Sequence, residues 1–293
     1  MAEKARLRLS SPAKLNLYLE ILGKRKDGFH ELCLLNTAID LADEVEILPG
    51  GKDVRTETNH PDVPDDENNL CRRAALTFFK HLPHTRQGLL IRTNKKIPVA
   101  GGLGGGSSNA AAVLYGLDLL TGAGLSEKEL QEIGAEVGSD VPFFLARSPA
   151  WVGGRGEIIE PAPSLPFSFY VIVYPDFGVS AAHAYSGWDL TRNRKKDIVE
   201  EPCSKKVPIQ ADEFRNDLEP LISAWHPEIH EVREALYGLG AFVAMMSGSG
   251  PTVFGIFPDE GLAEEAVRQF KVKSNKGAVV SRPLEGAIIE QLV

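Results

Sequence analysis

Five of the six residues from Gly101 to Gly106 are glycine, Leu103 being the exception, and two serines and an alanine-rich stretch ending at Gly122 follow directly. Bare backbone N–H groups feeding the positive end of a helix form a binding place for an anion such as phosphate. The alanine-rich stretch predicts a helix, with Ser107, Ser108 or Asn109 able to cap its start and Gly122 its end. Two widespread phosphate loops do not fit. In the dinucleotide pattern the third glycine position holds Ser107, and in the Walker pattern Ser107 stands where the lysine must be.

The rest of the chain supplies alternating strands and capped helices. In Ser11–Leu22 the residues Lys14, Asn16 and Tyr18 share one face, and Ala13, Leu15, Leu17 and Leu19 share the other, which predicts a half-buried strand with an unusual polar face. Asp27-Gly28 is turn chemistry before a second apolar run from Phe29, so a strand pair is expected. The polar stretch from Gly50 to Asn68 reads as an exposed connection, followed by a helix from Leu70 to Phe79. Ser126 with Glu129 three residues on predicts a capping box, and Gly138 the end of that helix. Pro142 suits the start of another short helix, which puts Asp140 at or beside a helix N-terminus.

Beyond Gly153 come the apolar run Phe167–Pro175, a charged stretch from Asn193 to Lys206 expected to be a loop, and mixed helices up to Gly240. Tyr237 to Pro258 carries no charge, but Gly248, Ser249, Gly250 and Pro251 would break a membrane helix midway. It is read as two buried strands around a glycine loop.

Composition excludes several function classes. A chain of 293 residues with 25% charged residues has the balance of a globular protein of one large or two ordinary domains. Its net charge of −8 disfavours nucleic acid as a partner. Cys33, Cys71 and Cys203 lack the spacing of a zinc site and are expected to be free thiols. The first residues are charged with no apolar stretch behind them, so a cytoplasmic address is expected.

Pro98–Ala110, with the sequence PVAGGLGGGSSNA, resembles the phosphate loop of the family of galactokinase, homoserine kinase, mevalonate kinase and phosphomevalonate kinase. That family's first motif resembles Ser11–Leu17 and its third Met246–Thr252, and the three motifs stand in family order across most of the chain. The forms PAKLNL, DGFHEL, GLGGGSSNAA, GSDVPFF and NDLEP are most similar to the branch whose acceptor alcohol carries a cytidine diphosphate group. The resemblance implies a two-domain α/β (α+β) kinase. Residues 1–155, with 278–293 returning to them, would form an ATP-binding domain like ribosomal protein S5, and residues 156–277 a ferredoxin-like domain.

It also implies roles. Asp140 would be the general base for the acceptor hydroxyl, with Lys14 stabilising negative charge in transfer. Taken alone, Asp140 reads as a helix cap and Lys14 as a surface lysine. ATP with Mg²⁺ would be held by Pro98, Gly101, Gly102, Leu103, Gly104, Gly105, Gly106, Ser107, Ser108 and Asn109. Ser107 or Ser108 would ligate the metal or touch the β-phosphate, and Asn69, Lys95 and Lys96 would line the adenine pocket. On the acceptor side, Phe29 and Tyr185 would take the two faces of cytosine, His30 its edge, and Asn16 the sugar alcohol or diphosphate. Ser247, Gly248, Ser249 and Gly250 would let backbone approach the substrate or phosphate closely. The family more often has Tyr where this chain has Phe29. The expected partner is a small molecule, with no nucleic acid and no membrane, in a monomer or homodimer. Other acceptors, such as homoserine or mevalonate, and a non-catalytic nucleotide-binding module stay open at this level.

Overall fold

The computed structural model describes residues 6–191, 210–274 and 277–292. The charged stretch from Asn193 to Lys206 lies outside these residues. Strands β1 (Leu7–Lys24) and β2 (His30–Pro49) form a long antiparallel pair joined at the expected turn. There Gly28 has φ +91° and Asp27 Oδ1 accepts the Phe29 N–H at 3.1 Å. Strand β4 (Leu89–Asn94) extends the sheet beside β2, and β3 (Val54–Thr58) pairs with β4 in parallel. The expected connection from Gly50 to Asn68 thus contains an edge strand whose polar residues left no apolar alternation to read.

The strand pair is bulged, and the bulges redistribute its side chains. A register shift between Asn16 and Tyr18 reverses the alternation there. Ala13, Leu15 and Leu17 pack in one core cluster with Trp151, Tyr170 and Phe254, whereas Leu19 and Ile21 join the other core. The expectation that Leu19 shares a face with Leu15 and Leu17 therefore fails, because a bulge is invisible to a period of two. Lys14 and Asn16 are not at the surface either, being 4% and 1% exposed.

A second sheet runs Val243–Met246, Val253–Phe257, Phe169–Tyr174, Gly277–Ser281, all antiparallel. The first two strands are the pair expected around the glycine loop, and both are wholly buried. After Ser281 the chain returns to the first sheet, where Pro283–Leu284 pairs with β2 and Glu290–Leu292 with β1. No helix among the described residues is long and apolar enough to cross a membrane.

Helices α1 (Leu70–His81) and α2 (Gly105–Thr121) pack on the first sheet, and α3 (Glu127–Val137) packs against both of them. The alanines of α2 let it pack closely. A Cβ added at Gly116 would stand 2.6 Å from the Ile47 side chain and 2.8 Å from that of Leu9. The capping box of α3 forms as expected, Ser126 Oγ accepting from the Glu129 N–H and Glu129 Oε2 from the Ser126 N–H. The start of α2 differs from expectation, because its cap is Gly104 in the left-handed region with no side-chain bond. The serines fall inside the first turn. Cys33 is disulfide-bonded, against the expectation of a free thiol there, and Cys71 is free and buried as expected. Sequence spacing gives no measure of the Cα approach that a disulfide requires.

The N-terminal end of α2 is tied to the sheet through Asp43, whose carboxylate is fully buried. Its Oδ1 accepts the backbone N–H groups of Lys96 (2.7 Å) and Ile97 (2.8 Å), and Oδ2 accepts Asn109 Nδ2 (3.0 Å) and the Lys95 ammonium. Asp43→Ala would leave the Lys95 charge buried without its counter-ion. It is expected to cost about 3–5 kcal/mol in chemical denaturation, and a loss below 1 kcal/mol would show that the pair is not a structural tie.

Candidate active site

β1 delivers Lys14 and Asn16 to the floor of a cavity of about 930 Å³. The Lys14 backbone N–H donates to Leu103 O at 3.0 Å, which fastens the glycine loop to the strand, and its ammonium donates to Asn16 Oδ1. Asn16 Nδ2 passes the chain on to Asn36 Oδ1 at 2.7 Å. Burial pushes the Lys14 pKa below the ordinary lysine value, and the nearby negative charge of Asp140 opposes that shift. The pair therefore shares one electrostatic environment.

Asp140 stands just before the short helix α4 (Val141–Phe144), with Pro142 as its second residue. It occupies the cap position in αR geometry and makes no capping hydrogen bond. Its carboxylate lines the cavity instead. The simple helix-cap reading is thus replaced by one in which the carboxylate faces the same space as Lys14.

The glycines meet specific obstacles. Gly102 (φ +78°) would place a Cβ 2.3 Å from Ser247 O, and Gly104 (φ +70°) one 3.1 Å from Lys14 Cγ. The first ladder bond of α2 runs from the Ser108 N–H to Gly104 O at 2.9 Å. The N–H groups of Gly105, Gly106 and Ser107 lie ahead of it, at the positive end of the helix. All three residues line the cavity, as do Pro98, Gly101, Gly102, Leu103, Gly104 and Asn109.

Two residues of the expected nucleotide site turn elsewhere. Ser108 is 0% exposed, its Oγ accepting from Ser11 Oγ at 2.9 Å, because its place in the first turn points it at β1. The exposed Lys96 lines a separate depression with Leu41 and Tyr174. Successive residues leaving a strand point to opposite sides, so Lys95 alone turns inward, where Asp43 neutralises it. Asn69 both lines the cavity and caps α1, its Oδ1 accepting from Cys71 N (2.9 Å) and Arg72 N (3.3 Å).

At the other end Phe29, His30 and Tyr185 line the same cavity. Phe29 is 47% exposed and carries the Arg155 guanidinium 5.0 Å from its ring centre. Tyr185, on α5 (Ala181–Thr191), stacks on His30 with centroids 5.1 Å apart. Burial, aided by the charge of Asp140, pushes the Tyr185 hydroxyl well above its usual pKa.

The loop between the buried strands completes the wall with Gly248 and Ser249. Ser247 and Gly250 lie behind it. Ser247 Oγ accepts the Asn16 N–H and donates to Gly102 O, both at 3.3 Å, so it joins the first and third motifs to the glycine loop. Sequence reasoning gave no role to Asn216, whose Nδ2 donates to Met246 O and Gly248 O at 2.8 Å each. Its signal was the NDLEP segment. Asn36, Asp43 and Arg155 carried no comparable signal.

A glycine loop at a helix start with a buried lysine and an uncapped aspartate facing it is the arrangement of a phosphoryl-transfer site. Residues 69–148 match the family described as GHMP kinases N terminal domain, and residues 208–275 match GHMP kinases C terminal. The chain belongs to the GHMP kinase family. This GHMP kinase is 41% identical over 270 residues to the 4-diphosphocytidyl-2-C-methyl-D-erythritol kinase of Geobacter sp. (strain M21), covering 91% of the chain and 95% of that relative. It is 40% identical to the enzyme of the same name from Syntrophotalea carbinolica, covering 94% and 98%. A crystal structure of 4-(cytidine 5'-diphospho)-2C-methyl-D-erythritol kinase superposes with a TM-score of 0.75 at 30% identity, over 94% of this chain and 99% of that one. A homoserine kinase from Cytophaga hutchinsonii shares the fold, with a TM-score of 0.74 at 20% identity over 100% and 98% of the two chains. As a member of the family the chain is an ATP-dependent kinase.

Gly248 tests how tightly the third motif is drawn into the site. At its φ of +58° a Cβ would stand 2.9 Å from Asn16 Oδ1 and 3.4 Å from Lys14 Nζ. Gly248→Ala is expected to lower turnover by about tenfold or more through displacement of Lys14, with about 1–3 kcal/mol of backbone strain in thermal melts. Unchanged turnover would show that the loop only closes the sheet.

Proposed function

We propose that the chain transfers the γ-phosphoryl group of ATP to the 2-hydroxyl of 4-(cytidine 5'-diphospho)-2-C-methyl-D-erythritol, a step of the non-mevalonate route to isoprenoid precursors. The observation that carries the reading is that one cavity holds Lys14, Asp140, the glycine loop and, at its far end, the aromatic group Phe29, His30 and Tyr185. The similarity to the 4-diphosphocytidyl-2-C-methyl-D-erythritol kinases over nearly the whole chain supports the same substrate.

In this reading the N–H groups of Gly105, Gly106 and Ser107 hold phosphate oxygens of the nucleotide. Asp140 accepts the proton of the acceptor hydroxyl, and Lys14 stabilises charge on the transferring oxygens. Asn16 holds the Lys14 ammonium in place. The cytosine lies against Phe29 and Tyr185, with His30 at its edge.

Magnesium fits this donor set. No group of three His, Cys, Asp or Glu able to hold a metal occurs among the described residues, and Mg²⁺ bound chiefly through nucleotide phosphates and water needs none. The Ser107 hydroxyl would be the protein ligand at the head of α2. Bound there, the ion would neutralise charge on the phosphate oxygens.

Asp140→Asn removes the base and no cap, so turnover is expected to fall about a hundredfold or more with little change in melting temperature. Unchanged turnover would exclude the base role. The lowered Lys14 pKa gives a pH dependence with a definite sign. Raising the pH deprotonates Lys14, so the alkaline fall in kcat/KM, which reports the free enzyme, should begin below the ordinary lysine range and be absent from the residual activity of Lys14→Met. Phe29→Ala is expected to raise the KM for the acceptor by about ten- to a hundredfold while the KM for ATP stays constant. Equal losses on both substrates, with a lowered melting temperature, would instead mark Phe29 as a packing residue.

A further inference from the structure

One helix holds His30 from three directions. Its ring stacks on Tyr185 (5.1 Å, 22°), meets Trp188 edge-on (5.6 Å, 89°) and places Nε2 2.8 Å from Asp189 Oδ1. Tyr185 and Asp189 stand four residues apart on α5, so a single turn brings both to the same imidazole. The second oxygen of Asp189 accepts Lys24 Nζ at 2.5 Å. Burial raises the pKa of the Asp189 carboxyl, but hydrogen bonds from Lys24 and His30 outweigh it and the net shift is downward. An ionised carboxylate only accepts hydrogen bonds, so Nε2 must carry the ring proton, and in the neutral ring Nδ1 is left as a bare acceptor. Asp189 and Lys24 line the same cavity as His30.

We infer that Asp189 and Lys24 are positioning residues that select the pyrimidine. By keeping the His30 proton on Nε2, they leave Nδ1 as an acceptor that takes a 4-amino group and refuses a 4-carbonyl oxygen. This rests on the reading that the base lies against Phe29, His30 and Tyr185. A base lying edge to edge with His30 extends the stacked layer that His30 already forms over Tyr185. Cytosine presents N–H donors at the position where uracil presents a carbonyl oxygen. Against Nδ1 a carbonyl would oppose two desolvated acceptors, which costs more than a missing contact.

Asp189→Asn tests the inference, because lysine has donors only. The amide oxygen turns to Lys24 and the amide NH₂ faces Nε2, which moves the ring proton to Nδ1. The ratio of kcat/KM for the cytidine diphosphate acceptor over its uridine diphosphate analogue is expected to fall about tenfold or more, with the KM for ATP unchanged. Nitrogen-15 NMR of the imidazoles, with His30 assigned from His30→Gln, should show the Nε2–H tautomer in the parent chain, a readout that does not depend on the variant folding. A parent His30 protonated at Nδ1, or a folded Asp189→Asn variant with the parent ratio, overturns the inference and leaves the substrate reading intact. A parent chain without preference for cytidine, together with an unchanged acceptor KM in Phe29→Ala, overturns the substrate reading and this inference with it.

Discussion

The site depends on a buried carboxylate that takes no part in the chemistry. Asp43 receives two backbone N–H groups where β4 runs out toward the glycine loop, and two side chains, Lys95 and Asn109. Asn109 belongs to the first turns of α2 and also donates to Ser11 at 2.8 Å, while Ser11 donates to Ser108. The loop is thus fixed at both ends, and the glycines between those ends are free to take left-handed conformations. A buried charge is costly unless every lone pair is engaged, and Asp43 meets that condition.

A second set of contacts joins the two sheets at the cavity. Asn216 holds the carbonyls on both sides of Ser247, Glu219 accepts the Met246 N–H at 2.8 Å, and Ser247 links Asn16 to Gly102. The loop from the second sheet therefore reaches Lys14 with its backbone already hydrogen-bonded. Gly248 is required there because its Cα passes the Lys14–Asn16 pair with no room for a side chain. Positioning of this kind suits phosphoryl transfer, in which orientation and charge stabilisation outweigh covalent assistance.

Hydrogen bonding also explains why adjacent residues of one motif diverge. Ser107 faces the cavity and Ser108 faces β1, since neighbours on a helix lie about 100° apart. Lys95 turns in and Lys96 out for the corresponding reason in extended backbone. The resemblance placed both members of each pair in the nucleotide site, and the helix and strand periods separate them. At the acceptor end Tyr185 was named through the family resemblance, whereas Asp189, one helical turn on, was missed because a lone aspartate on a helix has no local signature.

Residue order alone determined the phosphate-binding helix, the capping box at Ser126, the turn at Asp27-Gly28 and the buried strand pair around Gly248, because each rests on interactions within a few residues. The opposition of Lys14 and Asp140, 126 positions apart, could be expected only through family motifs, and nothing in either segment measures their approach. Tertiary structure decided the rest: the bulge that moves Leu19 into the other core, the strand hidden at Val54–Thr58, and the disulfide at Cys33. It also decided the carboxylates that orient their neighbours, Asp43 beneath the glycine loop and Asp189 beside His30. Such contacts join residues distant in the chain, and their energies come from burial and geometry that exist only once the sheets have closed around the cavity.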